Sequence, residues 1–255
     1  MTRFTQAIVR HPGRSAVSGL RAGGGPDPSF DGLAAEHAAY VAALEAAGLR
    51  ITALDPLDAF PDALFVEDPA LVFPEAAVLL RPGAPSREGE VALLRPALAA
   101  AFPQVIDLPN GYADGGDVMA LPGDVLIGLS ARTDRQGAEA LVDVLAALGR
   151  MARVVETPAA VLHLKTASSI IDDETVLATA ELAATGIFAR YRVLTVPAGE
   201  ERGANVLRAN DTILVGNRFP RLAEMLDGHG ATVQLLETSE IEKIDAGFTC
   251  MSLRW

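Results

Sequence analysis

The 255-residue sequence predicts an α/β fold in which five ββαβ-type units close into a ring around a pseudo-fivefold axis. Three observations carry this expectation. One arrangement recurs along the chain: an apolar run, a tight turn, a second apolar run, a polar link, an amphipathic helix and a final strand. Its copies begin roughly 35–50 residues apart, a spacing typical of repeat architectures whose units cannot bury their faces alone. The two chain ends, finally, read as complementary parts of one further copy. Hairpins ahead of each helix argue against the alternative, an ordinary doubly wound α/β sheet.

The first copy is "PALVFPEAAVLLRPGAPSREGEVALLRPALAAAFPQVIDLP", in the order strand, turn, strand, link, helix, strand. The second, "GDVMALPGDVLIGLSARTDRQGAEALVDVLAALGRMARVVETP", places Ala138, Leu141, Val142, Leu145 and Leu148 on one helical face. The third, "SSIIDDETVLATAELAATGIFARYRVLTVPA", is shorter and less regular. "NVLRANDTILVGNRFPRLAEMLDGHGATVQLLETS" restores the pattern, with Gly228 as the helix stop. The fifth copy is split. "FTCMSLRW" supplies its first strand, so that Cys250 is read as part of a buried strand, while "TQAIVRHPG" and "AAEHAAYVAALEAAGLRITALD" supply the rest. Pairing the C-terminal strand with the N-terminal one would close the ring and leave no open sheet end, as propellers do. The expectation is a single domain over residues 1–255.

Composition narrows the function classes. The chain is 50% hydrophobic, so it can fill a sizeable core, and it contains no apolar run long enough to span a bilayer. No membrane partner is expected. The N-terminal "MTRFTQAIVRHPGRSA" lacks a signal-like apolar segment, and one cysteine cannot form an internal disulfide, which points to the reducing cytoplasm. A net charge of −12 repels phosphate backbones and favours cationic small molecules; no nucleic-acid partner is expected. One cysteine and four scattered histidines give no structural zinc spacing, "AGGGP" lacks the ending of a phosphate loop, and "DGGDVMALPGD" is not a calcium loop. No cofactor and no metal are expected. His11, His37 and His229 read as surface residues.

Polar residues gather where the first strands begin. "FVEDPALV", "ADGGDVM", "VLHLKTASS", "GANVL" and "DAGFTCMS" open or precede successive units. In a pseudo-symmetric ring, Glu67, Asp68, Asp114, His163 and Cys250 would converge on one central pocket. Singly, each has a plain structural reading: a small buried thiol, a hydrogen-bonded strand histidine, a glycine turn, a solvated strand end. Their recurrence at equivalent places is what independent structural roles do not predict. The set suits a planar guanidinium, whose forked N–H donors pair with carboxylates while a thiolate attacks the central carbon. A histidine that titrates near working pH can protonate a leaving amine and then activate water.

These same stretches, with "LLRPGAPSR", "GLSARTDRQGAEAL" and "KIDAGFTCMS", closely resemble the dimethylarginine dimethylaminohydrolase family of the guanidino-group-modifying (pentein) superfamily, from Phe4 to Leu253. The resemblance implies a five-bladed α/β propeller. It also implies hydrolysis of Nω-methylated L-arginine to L-citrulline and methylamine or dimethylamine through a covalent S-alkylthiouronium on cysteine. Carried over by position, Cys250 is the nucleophile, His163 the general acid/base and Asp114 the third catalytic residue. Asp68 contacts the guanidinium, with Glu67 nearby; Arg87 and Arg132 hold the substrate carboxylate. Asp62 belongs with the substrate amino group, Asp245 with the surroundings of the thiol, and Leu20 with the lid "VSGLRAGGGPDPS". The alternatives are arginine deiminase, an amidinotransferase, and a non-catalytic propeller that only binds. The expected partner is a small-molecule methylated arginine, and the expected state a monomer or homodimer.

Overall fold

The computed structural model describes residues 3–255, and its sheets follow one plan. Each of five three-stranded sheets has a central strand paired antiparallel to the first strand and parallel to the last, with a helix in the crossover. A parallel neighbour needs a crossover of a dozen or so residues, which is why every unit carries its link and helix between its second and third strands. The described chain falls into two compact units, one formed by residues up to Val66 together with Ala167–Trp255, the other by Glu67–Thr166.

The larger unit holds three sheets. In the first, β1 (Gln6–Arg10) pairs in parallel with β2 (Arg50–Leu54), after helix α1 (Phe30–Ala46). Its other neighbour comes from the far end of the chain. Strand β15 (Leu253–Arg254) lies antiparallel to β1 with Ala7 opposite Arg254 and Ile8 opposite Leu253, so the fifth unit is assembled from both ends as expected. The second sheet comprises β9 (Ser168–Ile170), β10 (Thr175–Ala178) and β11 (Arg192–Thr195), and the third β12 (Leu207–Ala209), β13 (Thr212–Gly216) and β14 (Thr232–Leu236). Their crossovers contain the short helices α4 (Ala180–Ala184) and α5 (Pro220–Leu226).

The smaller unit holds two sheets: β3 (Ala70–Phe73), β4 (Ala76–Leu79) and β5 (Val105–Asp107) with α2 (Glu90–Ala101), then β6 (Val118–Leu121), β7 (Asp124–Leu129) and β8 (Ala152–Glu156) with α3 (Arg135–Ala147). Helix α3 shows how the sequence sets an element. Asp134 caps its start by accepting from the Gly137 N–H. At its end Gly149 takes a φ of 73°, so that Gly149 and Arg150 donate back to Ala146 and Leu145 in a Schellman turn. The face carrying Ala138, Leu141 and Leu145 packs against Val125 and Ile127 of β7, Val118 of β6 and Val78 of β4. This fixes the sheet edges from which the functional loops depart.

Two expectations need correction. Cys250 does not lie in a buried strand: it is half-buried on a 3-10 turn, Phe248–Met251, and only Leu253–Arg254 pairs as strand. His37 is not a surface residue. It lies on the buried face of α1 against the edge of His11, and burial, reinforced by His11, pushes its pKa down to about 4.

Candidate active site

The functional side chains sit in the chain just ahead of first strands: Glu67 and Asp68 before β3, Asp114 before β6, His163 before β9, Asn205 before β12 and Cys250 before β15. In the smaller unit, the first four and their neighbours form one buried network. Asp114 is fully buried; its Oδ1 accepts from the Gly83 N–H at 2.8 Å and its Oδ2 faces His163 Nε2 at 3.0 Å and Arg132 Nη1 at 3.5 Å. Asp68 pairs with Arg87, and its other oxygen accepts from the Gly116 N–H. Arg87, itself buried, also donates to Glu90, and Glu67 pairs with Lys165 at 2.6 Å.

The glycines of "DGGD" make this approach possible without any positive φ. A Cβ on Gly115 would lie 2.0 Å from the Glu67 carbonyl oxygen, and one on Gly116 would lie 2.7 Å from His163 Nδ1 and 3.0 Å from Asp68 Oδ1. Any side chain there would push His163 away from Asp68. One ligand atom each of Asp68, Asp114 and His163 lie within 4.8 Å of one another, so these are the residues that could hold a cation. Here the positive charges are supplied by the protein.

Electrostatics follow from this geometry. Burial alone would push the His163 pKa down, but Asp68, Asp114 and Asp117 outweigh it and hold the imidazole up at about 9. It is therefore an imidazolium at neutral pH. For Asp68 burial acts to raise the pKa, and His163, Arg87 and Lys165 overcome it, keeping the group below the ordinary carboxylate range. Arg87 is held firmly charged against its own burial by Asp68 and Glu90.

The larger unit carries the other expected residues. Asp62, buried, accepts from the Leu20 N–H at 2.8 Å, and Asp245 accepts from the Ala22 N–H at 2.6 Å. The loop bearing Leu20 is thus fastened by the two carboxylates expected near the substrate amino group and the thiol. Leu20 itself is exposed. Around Cys250, the Asn205 side chain accepts from the Thr249 N–H at 3.0 Å and donates to the Thr249 hydroxyl at 3.1 Å. Gly247 leaves room for it, since a Cβ there would lie 2.4 Å from the Asn205 carboxamide carbon.

Against known proteins, a family model described as arginine deiminase matches residues 36–213. The N(G),N(G)-dimethylarginine dimethylaminohydrolase of Pseudomonas aeruginosa is 34% identical over 99% of this chain and 100% of its own length. The chain belongs to the dimethylarginine dimethylaminohydrolase family. The dimethylarginine dimethylaminohydrolase of Streptomyces coelicolor is 36% identical over 98% of this chain and 96% of its own. The solved structure of the Pseudomonas aeruginosa enzyme, as a cysteine-to-serine mutant complexed with citrulline, superposes with a TM-score of 0.96 at 34% identity, covering 100% of both chains. The α/β propeller fold of dimethylarginine dimethylaminohydrolases, with its five ββαβ-type units, is therefore the fold of this chain, as expected.

Beyond the residues expected from sequence, the candidate site contains several others. Glu90 and Lys165 complete the ion pairs of Arg87 and Glu67; Lys165 lay in the noted stretch "LHLKTA", and Glu90 stands one helical turn after Arg87. Asp117, the second acid of "DGGD", is the more consequential. Fully buried, it accepts from Leu164 N at 2.9 Å, from Ser130 Oγ at 2.6 Å and from Thr133 Oγ1 at 2.7 Å, joining the histidine segment to the segment that carries Arg132. Burial raises its pKa despite His163 and these donors. Asp117→Ala strands three donors, each costing about 1–3 kcal/mol, so a loss of about 3 kcal/mol or more is expected in denaturant unfolding. Asp117→Asn keeps an acceptor and should lose much less; equal losses would show that these bonds carry no stability.

Proposed function

We propose that this protein is a dimethylargininase: it hydrolyses asymmetric dimethylarginine and monomethylarginine to L-citrulline and dimethylamine or methylamine. The observation that carries the reading is the buried set of Asp68, Asp114 and His163, with the imidazole held as a cation at neutral pH. Asp68 offers a carboxylate to the substrate guanidinium, and the Cys250 thiolate adds to its central carbon. The carbon–nitrogen bond to the methylated amine then breaks, and His163, positioned by Asp114, gives that amine its proton. An S-alkylthiouronium remains on Cys250. The now neutral imidazole takes one proton from water as the water adds to the same carbon; the thiolate leaves, the added hydroxyl gives its remaining proton to the released amine or to solvent, and the ureido group of citrulline is complete.

Support for an imidazolium as acid rather than base in the first step comes from its pKa of about 9, which keeps nearly every molecule protonated when the amine departs. Arg132 and Arg87 are assigned to the substrate carboxylate, Asp62 to its amino group, Glu67 and Asp245 to the surroundings of guanidinium and thiol, and Leu20 to the covering loop. The protein acts as one catalytic domain over residues 1–255, as a cytoplasmic monomer or homodimer, without a cofactor. No helix among the described residues is long and apolar enough to cross a membrane.

Citrulline release from asymmetric dimethylarginine, monomethylarginine and arginine, measured side by side, tests the reading. Turnover of the two methylated substrates with little from arginine is expected; preferred turnover of arginine would make the protein an arginine deiminase, the reading that the arginine deiminase family match keeps in play. A hydrogen bond to a charged group contributes about 1.5–3 kcal/mol, so Arg132→Ala should raise KM about ten- to a hundredfold with smaller change in kcat. An unchanged KM would leave Arg132 only its contact with Asp114.

A further inference from the structure

We infer that Tyr40 is a positioning residue for the nucleophile, holding the Cys250 turn from both sides; the inference rests on the dimethylargininase reading. Tyr40 belongs to α1 and is fully buried. Its ring stacks on Phe248, with centroids 6.0 Å apart and planes 19° from parallel, and its hydroxyl is hydrogen-bonded to the Ser252 hydroxyl. Phe248 and Ser252 stand two residues before and two residues after Cys250. A single side chain, some 210 positions away in sequence, therefore brackets the thiol-bearing turn: Tyr40 and Ser252 are 212 positions apart.

The bracket matters because this short 3-10 turn is gripped by side chains distant in sequence, Asn205 as well as Tyr40. The Cys250 N–H reaches the Gly247 carbonyl at 3.3 Å, the Asn205 side chain accepts from the Thr249 N–H, and Arg254 donates to the Thr249 carbonyl at 3.3 Å. Strand pairing resumes only at Leu253. Arg254 strengthens the far side, donating to the Ser252 carbonyl at 2.8 Å and to its hydroxyl, so Ser252 is gripped by α1 on one hand and by the last strand on the other. Aromatic pairs of this separation and a neutral hydrogen bond each contribute only modestly to stability. Their effect on rate can be far larger, since misplacing a reacting atom by about 1 Å can cost a factor of about a hundred.

The test uses Tyr40→Phe, which keeps the stacked ring and removes the hydroxyl, and Ser252→Ala, which removes the same bond from its other end together with the bond from Arg254 to the serine hydroxyl. Labelling of Cys250 is followed by mass spectrometry with two reagents. Chloroacetamidine, a cationic amidine, must dock before it reacts, whereas iodoacetamide reports thiol reactivity alone. Each variant should be labelled by chloroacetamidine about tenfold or more slowly, with iodoacetamide labelling within about twofold of the parent, and should show a fall in kcat with little change in KM. The double variant should be no worse than Ser252→Ala alone, because the one bond lost in Tyr40→Phe is already lost there. Additive losses, or variants whose only change is a lower melting temperature, would overturn the inference. Should the parent release no citrulline from any substrate, the functional reading fails separately, and the ratio of the two labelling rates still decides the role of Tyr40.

Discussion

Cys250→Ser is expected to fold as the parent does and to lose citrulline formation by at least about a thousandfold, because a hydroxyl is far less ionised and less nucleophilic than a thiol at neutral pH. The substitution is close to isosteric at a half-buried position, and its neighbours on the turn, Thr249 and Met251, stay buried on their own contacts. The melting temperature should therefore shift little. Measuring turnover and thermal unfolding on the same preparation separates chemistry from folding, and turnover retained in the serine variant would remove Cys250 from the reaction.

His163→Gly should be inactive, partly restored by added imidazole, and destabilised in a pH-dependent way. The imidazolium offsets the negative charge of Asp68, Asp114 and Asp117 in a buried setting. Its folded pKa of about 9 lies above the ordinary 6.5, so its contribution is fully present below about pH 6.5 and is lost as pH rises through 9. A difference of 2.5 units corresponds to about 3 kcal/mol. The stability deficit of the glycine variant should thus be largest near pH 6.5 and shrink toward pH 9, as read by denaturant unfolding at each pH. A deficit that stays flat across that window would mean that His163 is neutral in the folded protein.

How far the sequence could be read depends on the kind of interaction involved. Hairpin, helix and strand periods are local, so all five units, the split one included, were legible; Gly228, expected as a helix stop, has a φ of 88° just past α5. The polar residues standing just ahead of successive first strands were legible for the same reason. What escaped was long-range. Cys250 was placed in a strand because "FTCMS" has strand-like composition, yet Asn205, 44 positions away from Thr249, holds that segment as a turn. His37 was assigned to the surface because nothing local reveals that its helix face packs inward. The "DGGD" glycines invite a turn argument, whereas their purpose is the absence of a Cβ beside Glu67 and His163. Asp117 in that same motif gains its meaning only from partners at Ser130, Thr133 and Leu164.

The fastening of the Leu20 loop by Asp62 and Asp245 makes its backbone a reporter of what those carboxylates are doing. Amide hydrogens at Leu20 and Ala22 should exchange slowly with deuterium while the two acids accept them, although Leu20 exposes its side chain. A Cβ on Gly23, Gly24 or Gly25, immediately beyond, would meet nothing within 4 Å, so the loop has a fixed stem and a bare tip. A ligand ammonium that draws Asp62 Oδ1 away from Leu20 would free that amide. If Asp62 takes the amino group as proposed, binding should register as faster exchange at Leu20 with unchanged exchange at Ala22.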